Sequence, residues 1–254
     1  MPELPYLLER TVLIKAPRET VFRFFTDTER WASWWGAGST IDARPGGKVY
    51  IRHQGGAVES SGEVVEVAAP ERIVFTYGFA SGKPIPSGAS RVTIRLEPDP
   101  EGTRLRLEHE FPERGVRDEH VQGWRFQLSL FANVVANEVF ANAAEVVDGW
   151  YAAWSIADEK ERGEAFRGVI APGIQFRDRY SLLDGIEDLM AHVGASLRFM
   201  PGIGLARKGN IRQCLGTVVA DWSATNREGK EMMTGTSVFT LGAGGKIESA
   251  TSVS

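Results

Sequence analysis

The stretch "TRLRLEHEF", Thr103–Phe111, alternates strictly. Leu105, Leu107, His109 and Phe111 fall on one side, and Arg104, Arg106, Glu108 and Glu110 on the other. Side chains of an extended chain point alternately to opposite faces, so this is a strand with one face in a core and one in water. A few residues later the period changes: Val121, Trp124, Leu128, Phe131 and Val135 recur on a single helical stripe. A half-buried strand running into a long amphipathic helix predicts a helix laid on a sheet.

Upstream residues agree. "ERTVLIKAP" (9–17) reads as a strand, and Ala16-Pro17 opens a predicted helix, "RETVFRFFTDTERWASWW" (18–35), with Val21, Phe24, Phe25 and Thr28 on one face. From Gly36 the texture is β-branched and aromatic runs split by turn residues: "GGKVYIRHQGG" (46–56), "GEVVEVAAPERIVFTYGF" (62–79) and "SRVTIRLEPDPEGTRLRLEHEFP" (90–112). The first half is thus an α+β plan, with helices gathered on one face of a curved sheet.

At 254 residues the chain has mass for two cores. The second half restarts with a predicted helix over 144–171, a short strand "IQFRD" (174–178), a helix over 185–197, and strands within 206–226, 229–242 and 245–254. We place the domains at 1–139 and 140–254. No Pro/Gly/Ser linker marks the junction, and "VVANEVFANAAEVVDGW" (134–150) permits a nearly continuous helix across it.

Hydrophobic residues are 43% and charged residues 24% of the chain, with a net charge of -4. That balance lacks the basic footprint of nucleic-acid or anionic-membrane binding, and no run is long and apolar enough to span a membrane. The start, "MPELPYLLERTVLIKAP", lacks a basic n-region and its apolar stretch is broken, which predicts a cytoplasmic protein. The single cysteine, Cys214, cannot form an intramolecular disulfide and is expected as a buried, inert thiol. No Cys/His cluster has zinc spacing, so neither metal nor cofactor is expected.

Two resemblances follow from particular motifs. "IKAPRETVF" (14–22), "RWASWWG" (30–36), "PGGKVYI" (45–51), "PERIVFTY" (70–77), "TRLRLEHEFP" (103–112) and "GWRFQLSLF" (123–131) occur in the order of the heat-shock ATPase activator C-terminal-domain family, within the START-like (SRPBCC) superfamily. The resemblance covers about residues 8–137 and implies a helix-grip fold: a seven-stranded antiparallel sheet around a long C-terminal helix, with an apolar cavity between them. The second half, about 143–254, resembles the SnoaL-like branch of the nuclear-transport-factor-two-like superfamily. Its motifs are "WYAAWSIAD" (150–158), "IQFRDRYSLLDGIEDLMAHV" (174–193), "VVADWSAT" (218–225) and "GTSVFTLGAGGKI" (235–247). That resemblance implies a cone-shaped α+β domain with an apolar pocket, in a family of isomerases, dehydratases, epoxide hydrolases, cyclases and proteins without known chemistry.

Trp31, Trp34 and Trp35, at i, i+3 and i+4, share one helix face and either close the core or line a cavity. The first resemblance places this segment at the cavity mouth. His109, inward between Leu107 and Phe111, is the polar candidate there, as a ligand group or as a core histidine. Tyr77 and Phe79, alternating with Phe75 and Ile73, line the same space, and Trp124 faces it from the long helix.

In the second half, Asp178 ends "IQFRD" at a position that resembles the general-base aspartate of steroid-isomerase-type relatives. A carboxylate at the edge of an apolar pocket is expected to have a raised pKa and to serve as a base. Where those isomerases carry a late-strand acidic oxyanion donor, this chain has Ser237, counted back from "GGKI", which removes a main electrostatic contribution. Trp150, Tyr151, Asp221 and Trp222 are further pocket candidates, and His192 is read as an acid/base partner of Asp178 or as a core histidine. The function these residues point to is binding of a small hydrophobic or aromatic molecule in one or both cavities, with cofactor-free cyclase-, isomerase- or dehydratase-like chemistry open in the second domain. The alternatives are a chaperone-interaction module and a non-catalytic homodimer assembled through the second domain's sheet, where Val218, Trp222 and Met232 lie.

Overall fold

The computed structural model describes residues 3–254; Met1 and Pro2, where the reading of the N-terminus starts, lie outside the described residues. The chain divides into two compact units, the first ending at Ala136 and the second running Asn137–Ser254.

The first unit opens with β1 (Tyr6–Ile14), α1 (Arg18–Arg23) and α2 (Thr28–Trp35), continues through β2 (Thr40–Ile41), β3 (Lys48–Arg52), β4 (Glu59–Ala68), β5 (Arg72–Tyr77), β6 (Ser90–Asp99) and β7 (Gly102–Phe111), and closes with α3 (Arg114–Val139). The strands form one seven-stranded sheet in the order β1-β7-β6-β5-β4-β3-β2, antiparallel at every pairing. The alternation in β7 positions the sheet: Leu107 pairs with Arg10 and Ile94, Leu105 with Val12 and Leu96, and both leucines are buried.

One long helix was expected over 18–35, and the structure breaks it. Asp27 is extended, and its side chain accepts from the backbone N–H of Arg30, so it starts α2 afresh as an N-cap. Phe24 and Phe25 in the break remain core residues, packing on Phe131 of α3 with ring centroids 5.9 and 4.9 Å away. Gly36 ends α2 at a φ of 148°, where a Cβ would run into the carbonyl oxygen of Arg52, so only glycine fits there.

The second unit contains α4 (Ala143–Ala153), α5 (Glu159–Val169), β8 (Ile170–Arg177), β9 (Leu182–Asp184), α6 (Gly185–Phe199), β10 (Gly204–Cys214), β11 (Thr217–Thr225), β12 (Glu231–Leu241) and β13 (Ile247–Val253). Its six-stranded sheet has the order β10-β11-β12-β13-β8-β9, with β13 and β8 parallel and the other pairs antiparallel. Trp150 of α4 anchors the core, its ring centroid 5.6 Å from Phe166, 5.7 Å from Phe176 and 5.9 Å from Phe239.

Three expectations are corrected here. The helix read over 144–171 is two helices, because Asp158 is extended and accepts from the N–H of Glu161 as the N-cap of α5. The helix near the junction is interrupted: α3 runs past Ala136 to Val139, and α4 starts afresh at Ala143 with no side-chain cap from Asn142. Cys214 is exposed: it ends β10, an edge strand, beside a turn in which Leu215 takes a φ of 51°. Among the described residues no single helix is long and apolar enough to cross a membrane.

Candidate functional site

The second unit encloses a pocket of about 390 Å³. Its walls come from separate elements: Trp150, Tyr151 and Trp154 at the end of α4, Phe176 on β8, His192 on α6, and Trp222 on β11. The period-2 alternation of β11 buries Val218, Ala220, Trp222 and Ala224. Gly235, opposite Trp222 in the β11–β12 register, makes room for the indole, for a Cβ there would come within 2.6 Å of the ring. The same alternation turns Asp221 outward, where it accepts a hydrogen bond from Thr236 Oγ1 at 2.6 Å. Asp221, expected in the pocket, therefore lies on the opposite face.

The remaining second-half candidates, Asp178, His192, Trp150, Tyr151, Trp222 and Ser237, all line this one pocket. Asp178 follows β8 in a turn: its Oδ1 accepts from the N–H of Tyr180 at 2.7 Å, and its own N–H donates to the Ser181 carbonyl at 3.0 Å. His192 Nε2 lies 3.3 Å from Ser181 Oγ. No hydrogen bond or ion pair joins Asp178 to His192, and Ser181 takes the place that was expected for Asp178 beside the ring. Ser237 Oγ pairs with Ser252 Oγ at 3.0 Å.

The pocket's distinctive feature is its unmet donors. The indole N–H groups of Trp154 and Trp222 and the hydroxyl of Tyr151 are buried without a hydrogen-bond partner among the described residues. Burial pushes the Tyr151 pKa up to about 12; Ser237 lies close enough to moderate that rise, without completing a bond of good geometry. Tyr151 is therefore a neutral donor near pH 7. Trp154 escaped the sequence reading, although its place four residues after Trp150 on one helix puts both indoles on the same face.

In the first unit, Trp31 and Trp34 are core. Trp31 donates to the Tyr50 carbonyl at 3.3 Å and Trp34 to the Phe24 carbonyl at 3.1 Å, and neither is more than 1% exposed. Trp35 stacks 4.4 Å from Trp34 on one side and lines a cavity of about 220 Å³ on the other, with Tyr77, Trp124, Gln127, His53 and His120. Phe79 is set behind that wall, its ring 5.6 Å from Tyr77 and 6.3 Å from His53.

His109 is fully buried, with both ring nitrogens engaged by Trp124 and Ser90, and it does not line the cavity. Burial, then the neighbouring His120, holds its pKa well below the ordinary histidine value. His53 and His120 do line the cavity, and both are lowered, chiefly by burial. The sequence carried a signal for each. His53 continues the inward alternation of Val49 and Ile51, and His120 lies one turn before Trp124 on the buried stripe of α3.

Among the described residues no group of three or more His, Cys, Asp and Glu side chains is placed to hold a metal ion. No curated protein matches the chain. Solved structures similar to part of it include an isomerase candidate of the SnoaL-like family from Agrobacterium tumefaciens str. C58, at 19% identity over 43% of this chain and 93% of that one, with a TM-score of 0.41. Others are protein MLL2253 from Mesorhizobium loti, at 22% identity over 51% and 96% with a TM-score of 0.45, and CalU16 from Micromonospora echinospora, at 25% over 50% and 70% with a TM-score of 0.40. Residues 15–136, the segment that holds "PGGKVYI", "PERIVFTY" and "TRLRLEHEFP", match the model of the family described as Activator of Hsp90 ATPase homolog 1-like protein.

Proposed function

We propose that the second unit binds a small, mostly apolar molecule bearing hydrogen-bond acceptor oxygens, in the pocket between α4, α6 and the sheet. The observation that carries this reading is the trio of buried donors without a partner among the described residues, Tyr151 Oη, Trp154 Nε1 and Trp222 Nε1, on residues that line one largely apolar pocket. A buried donor without a partner costs about 1–3 kcal/mol, and a ligand carbonyl or ether oxygen in that pocket recovers this cost on binding. The volume of about 390 Å³ suits a molecule of two to four fused or linked rings.

Asp178 and His192, on either side of Ser181, are the proton-exchanging groups on the pocket wall, and they give this reading its catalytic form: cofactor-free acid/base chemistry of the cyclase, isomerase or dehydratase kind on a carbonyl-bearing substrate. The cytoplasmic location and a homodimer through the second unit remain expectations of the sequence.

A thermal-shift series on the full chain, with polyketide-like, steroid-like and lipid-like compounds, tests the reading. Stabilisation by oxygenated ring compounds supports it; indifference to all three classes opposes it.

A further inference from the structure

The first unit holds a site of different chemistry, independent of the pocket proposed above. On the residues lining its cavity of about 220 Å³, two buried polar atoms lack a partner among the described residues, the indole N–H of Trp35 and Nε2 of His120. They are opposite in kind. His120 Nδ1 lies 2.7 Å from the Val116 carbonyl oxygen, which only accepts, so the proton sits on Nδ1 and Nε2 is a bare acceptor in the neutral ring.

Ser60, Gln127 and Trp124 nearby are committed. Ser60 Oγ donates to the Tyr77 hydroxyl at 3.1 Å and lies 3.0 Å from His53 Nε2, Gln127 donates to the Trp34 carbonyl, and Trp124 donates to His109. One donor and one acceptor are left open, among the rings of Trp35, Trp124, Tyr77 and His120. An apolar cavity of about 150 Å³ accepts benzene. A cavity of about 220 Å³ therefore takes a single ring with a few further atoms.

We propose that this cavity binds a monocyclic aromatic carrying one group that both donates and accepts, a hydroxyl or a carboxamide, with His120 Nε2 as its acceptor and the Trp35 indole N–H as its donor. A plain hydrocarbon ring would leave both atoms unmet. A carboxylate has no proton to offer Nε2.

The test is a titration of the ¹⁵N-labelled full chain with p-cresol, benzamide and toluene, read on the seven tryptophan indole N–H signals. The Trp35 signal locates binding in this cavity, and those of Trp154 and Trp222 report the second unit's pocket. The proposal expects p-cresol and benzamide to move the Trp35 signal saturably, with affinities about tenfold or more above toluene's. His120→Phe, which removes the acceptor and leaves the Trp35 donor, should cut that advantage severalfold. The proposal is overturned if the Trp35 signal stays fixed up to about 10 mM of every probe, as for a cavity that holds only water, or if toluene matches the other two. Movement confined to Trp154 and Trp222 overturns it as well. The wild-type comparison decides the matter even if His120→Phe does not fold.

Discussion

Trp124 donates its indole N–H to Nδ1 of His109 at 2.9 Å, inside the core of the first unit. An indole only donates, so Nδ1 is bare and Nε2 carries the proton, which it gives to Ser90 Oγ at 2.8 Å; Ser90 in turn donates to the Tyr77 carbonyl at 2.8 Å. The chain of bonds fixes a single tautomer and leaves His109 no free position for a ligand. His109→Leu strands a buried indole N–H and removes the N–H from which Ser90 Oγ accepts. It should lower stability by about 2–4 kcal/mol, measured by urea unfolding.

The three histidines of the first unit give a defined pH response. His53, His109 and His120 all have folded pKa values lowered mainly by burial, against about 6.5 in the unfolded chain. Between the lowered values and about 6.5 the unfolded state binds more protons, so stability rises with pH in that window. It is fully present above about pH 6.5 and is lost as pH falls below it. The urea midpoint read from the Trp34 indole signal should drop between about pH 7 and pH 5.5, with a shallower slope in His109→Leu. A flat profile in the wild type contradicts this.

Trp34 and Gly36 hold the turn after α2. Trp34→Ala should cost about 3–5 kcal/mol, since the indole packs 5.0 Å from Phe131 and 4.4 Å from Trp35 and donates to the Phe24 carbonyl. Gly36→Ala should cost on the order of 3 kcal/mol by forcing the α2 end away from Arg52. Denaturant midpoints check both.

The second pocket predicts an unusual pairing of effects. Tyr151→Phe removes a donor that has no partner among the described residues, so the ligand-free stability should hold or rise by up to about 1 kcal/mol, whereas Trp222→Phe also empties the space that Gly235 makes for the indole and should lower it. Affinity for a ring compound with a carbonyl should fall about tenfold in each variant, by calorimetry. Asp221→Ala, on the outer face of β11, should leave that affinity unchanged.

Much of the fold was legible in local periodicity. The alternation of "TRLRLEHEF" matches β7, and the helical stripe from Val121 matches the buried face of α3. The breaks were less visible, because Asp27 and Asp158 stand in sequences that otherwise suit a helix, and their capping bonds depend on backbone angles that tertiary packing sets. Asp221 illustrates the same limit at the site. "VVADW" fits either face of a strand, and the burial of Trp222 in the pocket wall decides which one. His53 and His120 needed the sheet and helix brought together before their shared cavity existed.

On the proposed reading, the second unit's pocket selects a ligand by its acceptor oxygen. The most direct measurement is calorimetric titration of the full chain with 9-fluorenone and with fluorene, rings of the same shape that differ by one carbonyl, while the Trp154 and Trp222 indole signals are followed. Fluorenone is expected to bind about tenfold or more tightly than fluorene, with both indole signals shifted and the difference lost in Tyr151→Phe/Trp222→Phe. Equal affinities, or no shift of either indole signal, would contradict it.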